Sequence, residues 1–231
     1  MKYESFKDNF LEMLEGLSND FEAPPILSSE IIQNIQAGKP VEDIEFDQIY
    51  PPRIRALSKV QWSSIEVARR IAFLVGTNST ARFIDIGSGV GKLCVLLSLL
   101  TDMEIYGIEQ REDLFSVSRT VVKNNHLKNI YLIHGNMMKL DWSKYDVFYF
   151  YNPFQEHNCG SWEGGLIDKN IDLDRKHYAQ YISEAFRQMT WLKPGKKVIT
   201  FHGYGGLIPP SMKLLNSCQV NNGDLCLWEK L

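Results

Sequence analysis

The sequence has 231 residues, of which 44% are hydrophobic and 23% charged, and its formal net charge is −3. This length suits one α/β domain with an added terminal segment, and the composition excludes a disordered chain. The slight acidic excess gives no support to a protein that binds nucleic acid through its phosphates.

The first residues of the sequence and the cysteines predict the cellular compartment of the protein. Acidic residues follow closely after Met1, so we expect no signal peptide. The longest apolar run, residues 93–100, is far shorter than the roughly 20 residues of a membrane span. The cysteines form no C-x-x-C pair. We therefore expect a cytoplasmic protein with reduced thiols, no metal site and no membrane contact.

Residues 1–60 are predicted to form an N-terminal helical extension. Apolar residues recur at helical spacing in residues 6–17, and a second helix is predicted over residues 29–37. Residues 39–52 have prolines near both ends and are predicted to be a loop. The segment Ser63-Ser64-Ile65-Glu66 has the capping-box pattern that begins a further helix.

From residue 82 onward, the pattern alternates between strands and helices, which indicates the α/β class. Predicted parallel strands occupy residues 82–86, 104–109, 130–134, 146–151 and 197–201. Two further strands, 213–220 and 224–229, flank the hairpin signal Asn221-Asn222-Gly223. Residues 61–231 are therefore predicted to form a seven-stranded, mostly parallel, doubly wound sheet with an antiparallel C-terminal hairpin.

A glycine turn follows the first of these strands, in Asp85-Ile86-Gly87-Ser88-Gly89-Val90-Gly91. Glycines at this point allow a tight turn and the close approach of a ligand. In open α/β sheets, ligands bind beyond the carboxyl ends of the strands. Glu109, at the end of the second strand, is placed to accept hydrogen bonds from ribose hydroxyls.

The spacing of this turn distinguishes between two nucleotide ligands. A dinucleotide site has the pattern G-x-G-x-x-G, which would require glycine where this chain has Lys92. Asp85 precedes the first glycine by two residues, and an acid there suits the free amino group of S-adenosylmethionine, which NAD lacks. The sequence therefore favours S-adenosylmethionine over NAD.

Four segments together resemble the class I, or seven-strand, S-adenosylmethionine-dependent methyltransferases, over roughly residues 61–231. Residues 83–92 are similar to the first motif of that family, and residues 106–109 to the second. Gly135-Asn136-Met137 and Asn152-Pro153-Phe154 lie where the family has its third and fourth motifs. The set is somewhat closer to the seven-strand histone-lysine methyltransferases.

The resemblance implies a role for each matching residue. Asp85 and the backbone of the glycine turn would hold the methionine part, Glu109 the ribose, and Asn136 and Met137 the adenine. Trp62 would contact the methionine carboxylate together with Ser63, although a helix cap beside a packed indole is an equal alternative. The implied cofactor site consists of Trp62, Ser63, Asp85, Gly87, Ser88, Gly89, Gly91, Glu109, Asn136, Met137 and Asn152.

The end of the fourth strand is the candidate acceptor site. Tyr151, Asn152 and Phe154 are the candidate catalytic residues, because transfer requires alignment of the acceptor and exclusion of water. The loop over residues 155–171 is a candidate lid or binding loop, and Trp162 is a candidate part of the acceptor pocket. His157 and His202 are weaker candidates for a general base.

Three functions stay open. The first is a methyltransferase that acts on a protein side-chain amine or a small molecule. The second is a non-catalytic S-adenosylmethionine-binding module that acts through a partner. The third, which Lys92 disfavours, is a NAD-dependent oxidoreductase.

Overall fold

A computed structural model describes residues 16–56, 58–77, 80–155, 157 and 175–231. The helix predicted over residues 6–17 lies almost entirely outside these residues. Most of the predicted lid, Trp162 included, also lies outside them.

Seven strands form one sheet in the order β3-β2-β1-β4-β5-β7-β6. The first five strands are parallel, and β7 runs antiparallel between β5 and β6. This arrangement confirms the predicted seven-stranded sheet with its C-terminal hairpin. The strands are β1 (Arg82–Ile86), β2 (Glu104–Glu109), β3 (Ile130–His134), β4 (Val147–Tyr151), β5 (Lys197–Phe201), β6 (Met212–Val220) and β7 (Gly223–Lys230).

Helices cover both faces of the sheet, and each face has its own apolar core. The α-helices are α1 (Ser29–Gln36), α2 (Asp43–Phe46), α3 (Pro52–Arg55), α4 (Ser58–Gln61), α5 (Ile65–Val75), α6 (Lys92–Leu100), α7 (Glu112–Asn124) and α8 (Arg175–Trp191). Helices α1, α5, α6 and α7 contribute to one core, and α8 to the other. Within the described part of the chain, no helix has the length and apolarity needed to cross a membrane.

The prediction of a loop over residues 39–52 is wrong. Glu42 begins α2 with a capping box, in which its side chain and that of Glu45 satisfy each other's backbone N–H groups. Phe46 and Tyr50 are buried in the same core as the sheet. Helices this short carry too few residues for a visible period, and burial of their aromatic rings holds them in place.

The predicted capping box at Ser63 is also wrong by one residue. The cap of α5 is Ser64, whose hydroxyl accepts a hydrogen bond from the Val67 N–H. The Ser63 hydroxyl lies 2.7 Å from the Tyr149 hydroxyl on β4. This tertiary contact takes Ser63 away from the helix.

A buried ammonium group joins the N-terminal helices to the helix after the glycine turn. Lys92 Nζ lies 2.7 Å from Asp43 Oδ1 and 2.7 Å from Asp47 Oδ1, and the side chains of Lys92 and Asp47 are each 3% exposed. Asp43 also accepts a hydrogen bond of 3.0 Å from the Ile65 N–H at the start of α5. Burial raises the pKa of Asp47 despite the attraction of Lys92.

We expect Lys92→Met to destabilise the protein by about 3–5 kcal/mol, because it leaves the Asp47 carboxyl buried without its cation. Urea unfolding measures this change. The control Lys144→Met removes a lysine that is 66% exposed, and it should change the unfolding free energy by no more than about 0.5 kcal/mol. Equal losses in the two variants would contradict the role of the buried ion pair.

Candidate functional site

A cavity opens at the carboxyl ends of β1, β2 and β4, where the strand order reverses between β1 and β4. Every residue of the predicted cofactor site lines it except Gly91 and Asn136, and the predicted catalytic residues also line it. The lining consists of Gln61, Trp62, Ser63, Asp85, Ile86, Gly87, Ser88, Gly89, Val90, Lys92, Leu93, Ile108, Glu109, Gln110, Arg111, Leu114, Gly135, Met137, Tyr149, Tyr151, Asn152, Pro153, Phe154, Gln155, His157 and Tyr181.

The glycine turn folds back onto the end of β2. The Gly87 and Ser88 N–H groups both donate to the Ile108 carbonyl, and each donor–acceptor distance is 3.0 Å. Gly87 has a φ of +79°, and a Cβ there would lie 3.0 Å from the Cβ of Pro153. Only glycine fits this position without a shift in Asn152-Pro153-Phe154, the strand-four motif.

The Glu109 carboxylate connects the turn to β2. Its Oε2 accepts a hydrogen bond of 2.9 Å from the Gly89 N–H, and its Oε1 accepts from the Arg111 N–H at 2.9 Å and from Arg111 Nε at 3.1 Å. A carboxylate has about four acceptor positions, so capacity remains for a ligand hydroxyl. The sequence predicts a ligand role for Glu109 but does not indicate these contacts with the turn and with Arg111.

Asp85 is a buried acid whose surroundings favour a cationic ligand. Burial raises its pKa to about 8, the negative charge of Glu109 adds to the increase, and a hydrogen bond from the Cys94 thiol opposes it. An ammonium group beside Asp85 would favour the charged form and reverse this shift. The pair of acids therefore fits a ligand that carries both a ribose and an amino group.

Ser63 and Tyr149 connect the wall of the cavity to β4. The hydroxyls of the two residues lie 2.7 Å apart, and both side chains are buried. Burial raises the pKa of Tyr149 well above its ordinary value, so the phenol stays protonated. Tyr149 was not predicted, although its position in an aromatic strand next to the site could have indicated it.

Asn136 does not face the cavity, although its neighbours do. Its Oδ1 accepts a hydrogen bond of 2.9 Å from the Met138 N–H, and its Nδ2 donates to Gln110 Oε1 at 2.9 Å and to the Tyr181 hydroxyl. The Met137 side chain lies on the cavity wall. The polar contacts of Asn136 thus support Gln110 and Tyr181, which sequence reasoning missed.

The strand-four motif forms the other end of the cavity. Asn152 has a φ of +40°, and its N–H donates to the Gly203 carbonyl at 3.0 Å. Few non-glycine residues adopt this conformation, and such residues are concentrated at functional sites. The Phe154 ring stacks on Tyr181 with a centroid distance of 5.1 Å.

The two candidate histidines occupy different places. His157 lines the cavity beside Tyr181. His202 does not line it, and its ring stacks on Tyr151 at 5.5 Å. Of the two, only His157 lines the cavity.

Comparison with known proteins gives one family and a shared fold. The family model of the methyltransferase domain matches residues 77–199. TrmN from Thermus thermophilus is 15% identical over 79% of this chain and 54% of its own, with a TM-score of 0.56. No curated protein sequence matches the chain significantly.

A second solved structure resembles almost the whole chain. A point mutant of MtNAS in complex with S-adenosylmethionine is 15% identical over 99% of this chain and 98% of its own, with a TM-score of 0.50. MtNAS in complex with MTA and tNA is 14% identical over the same shares, also with a TM-score of 0.50. This match extends over the N-terminal helices as well as the sheet.

We expect Gly107→Ala to distort the site, because a Cβ at Gly107 would lie 2.8 Å from Ser88 Oγ and 2.9 Å from Cys94 Sγ. The cost should be about 1–3 kcal/mol in thermal or urea unfolding. Adding Cys94→Ala to the Gly107→Ala variant removes one of these contacts and should restore part of the lost stability. A Gly107→Ala protein as stable as the parent would contradict this geometry.

Proposed function

The chain belongs to the methyltransferase domain family, and from that membership we propose that it methylates an amine of a protein side chain or a small molecule. Its cofactor is S-adenosylmethionine. The observation that carries the proposal is the placement of Asp85 and Glu109, at the ends of adjacent strands, in one cavity with the glycine turn. The motif resemblance to histone-lysine methyltransferases supports an amine as the acceptor.

The cavity residues suit the parts of this cofactor. Asp85 would pair with the amino group, and Glu109 would accept from the ribose hydroxyls. Trp62 and Ser63 lie on the cavity wall, where the carboxylate would be held. The Ser63 hydroxyl contacts that of Tyr149, which pairs with Asp85 between β4 and β1. Met137 would contact the adenine.

The strand-four motif would align the acceptor. S-adenosylmethionine supplies a methyl group that its sulfonium already activates, so the protein's main tasks are alignment and exclusion of water. The Asn152 side-chain oxygen can accept a hydrogen bond from an N–H group of the molecule that receives the methyl group. Pro153 packs against Gly87 of the turn, so the motif and the cofactor site are held at a short distance. Phe154 and Tyr151 contribute apolar surface that excludes water.

A second candidate is transfer of the aminocarboxypropyl group of the same cofactor. That reaction would leave 5′-methylthioadenosine (MTA), whereas methyl transfer leaves S-adenosylhomocysteine. The supporting observation is the structural match to MtNAS, which extends over nearly the whole chain and includes a complex with MTA. Both candidates use the same cavity and the same acids.

The two candidates differ in a product that mass spectrometry identifies. The protein is incubated with S-adenosylmethionine and with fractionated protein and metabolite pools. We expect S-adenosylhomocysteine to accumulate, and Asn152→Ala should slow its formation at least about tenfold while weakening cofactor binding less than Glu109→Gln does.

Other products would change the assignment. MTA alone would favour aminocarboxypropyl transfer, and binding without any product would favour a non-catalytic module. Thermal stabilisation by NAD but not by S-adenosylhomocysteine would contradict both candidates. Glu109→Gln serves as the control that should weaken cofactor binding itself.

We expect the affinity for S-adenosylhomocysteine to increase with pH. Because the pKa of Asp85 is raised to about 8, the free protein holds this carboxyl protonated between pH 6 and 7.5, and binding of the ligand's ammonium must release that proton. Affinity should therefore increase up to about tenfold per pH unit in this range and level off above pH 8.

Calorimetric titrations at several pH values measure this slope. The matched variant Asp85→Asn has no proton to release, so its affinity should be lower and almost independent of pH. An equal slope in the two proteins would show that another group titrates.

A further inference from the structure

Tyr181 contacts both ends of the cavity. It lies on α8, is 9% exposed and lines the cavity. Its hydroxyl lies 3.2 Å from Gln110 Oε1 and accepts a hydrogen bond from Asn136. Its ring lies parallel to that of Phe154, with an interplanar angle of 7°. Helix α8 thus connects the acceptor wall, which the strand-four motif forms, to the side of the cavity near Gln110, where the adenosine would lie.

The contacts of Gln110 determine how its amide is oriented. Gln110 Oε1 accepts two hydrogen bonds, from Asn136 Nδ2 at 2.9 Å and from the Tyr181 hydroxyl at 3.2 Å. Because the amide oxygen faces these two partners, the NH₂ group of Gln110, which has two N–H donors, points away from them and is available to a ligand. Because Gln110 directly follows Glu109 and lines the cavity, these donors belong to the nucleoside part of the site.

Adenosine offers acceptors that match such donors. The ring nitrogens of adenine and the ribose oxygens accept hydrogen bonds, and a donor held in one orientation avoids the entropy cost of ordering it on binding. The Phe154 ring, which itself contacts Phe150 edge-on at 6.4 Å, holds the Tyr181 ring in place. The orientation of the amide therefore depends on aromatic packing at the acceptor wall.

We propose that Gln110 is a binding residue for the adenosine of the cofactor and that Tyr181 is its positioning residue. The Tyr181 hydroxyl keeps the Gln110 NH₂ group directed at the nucleoside, and Asn136 supports both. This assignment rests on the proposed function, since it requires an adenosyl ligand in the cavity. It gives Asn136 an indirect role in place of the direct adenine contact that the motif implied.

A double-mutant cycle tests the assignment, with S-adenosylhomocysteine as the probe in calorimetric titrations of the whole chain. We expect Tyr181→Phe, which keeps the ring, to weaken binding about five- to tenfold, and Gln110→Met to weaken it about tenfold. The double variant should bind as Gln110→Met does, because the hydroxyl acts only through the amide. Thermal unfolding of each variant separates this effect from loss of stability.

Tyr178→Phe is the matched control, since the Tyr178 hydroxyl on the same helix donates to the Gly205 carbonyl and the residue does not line the cavity. It should leave the affinity within about twofold. The inference is overturned if Tyr181→Phe binds as tightly as the parent, or if the two losses multiply in the double variant. A parent protein that fails to bind S-adenosylhomocysteine at all contradicts the proposed function, and this inference with it.

Discussion

The contact between the glycine turn and the end of β2 is the constraint on which the site depends. The Ile108 carbonyl accepts from two successive N–H groups of the turn, and Glu109 accepts from a third. This contact brings the carboxyl groups of Asp85 and Glu109 close enough for the charge of one to raise the pKa of the other. In the free site, burial and the charge of Glu109 favour the protonated form of Asp85, whereas an ammonium group beside Asp85 would favour its charged form.

The N-terminal helices belong to the same core as the sheet. Lys92 occupies the position at which a dinucleotide-binding turn has a glycine, and its ammonium is enclosed by acids from the N-terminal segment. The side chain that distinguishes the two kinds of turn is thus also the anchor of that segment. The Lys92 ammonium also lies 5.7 Å from the centre of the Trp62 ring, so it contacts the cavity wall at residues 61–63.

Regular elements of the sheet could be predicted from the sequence because each has a local signal. Strands of buried residues, glycine turns and the Asn221-Asn222 hairpin depend on neighbours along the chain, and the structure places them where the patterns indicate. Short helices stabilised by burial, such as Asp43–Phe46, have no such signal. Gln110 and Tyr181 could not be paired from the sequence either, since 71 positions separate them and only the fold brings them together.

The position of β7 has a consequence for how the chain acquires its structure. This strand, which comes after β6 in sequence, lies between β6 and β5 in the sheet. During synthesis, the edge of β5 therefore stays without its neighbour, and β6 has no strand to join, until residues 223–230 have emerged. Open strand edges recruit other chains. The nascent protein thus presents these open edges to other chains until β7 inserts between β5 and β6.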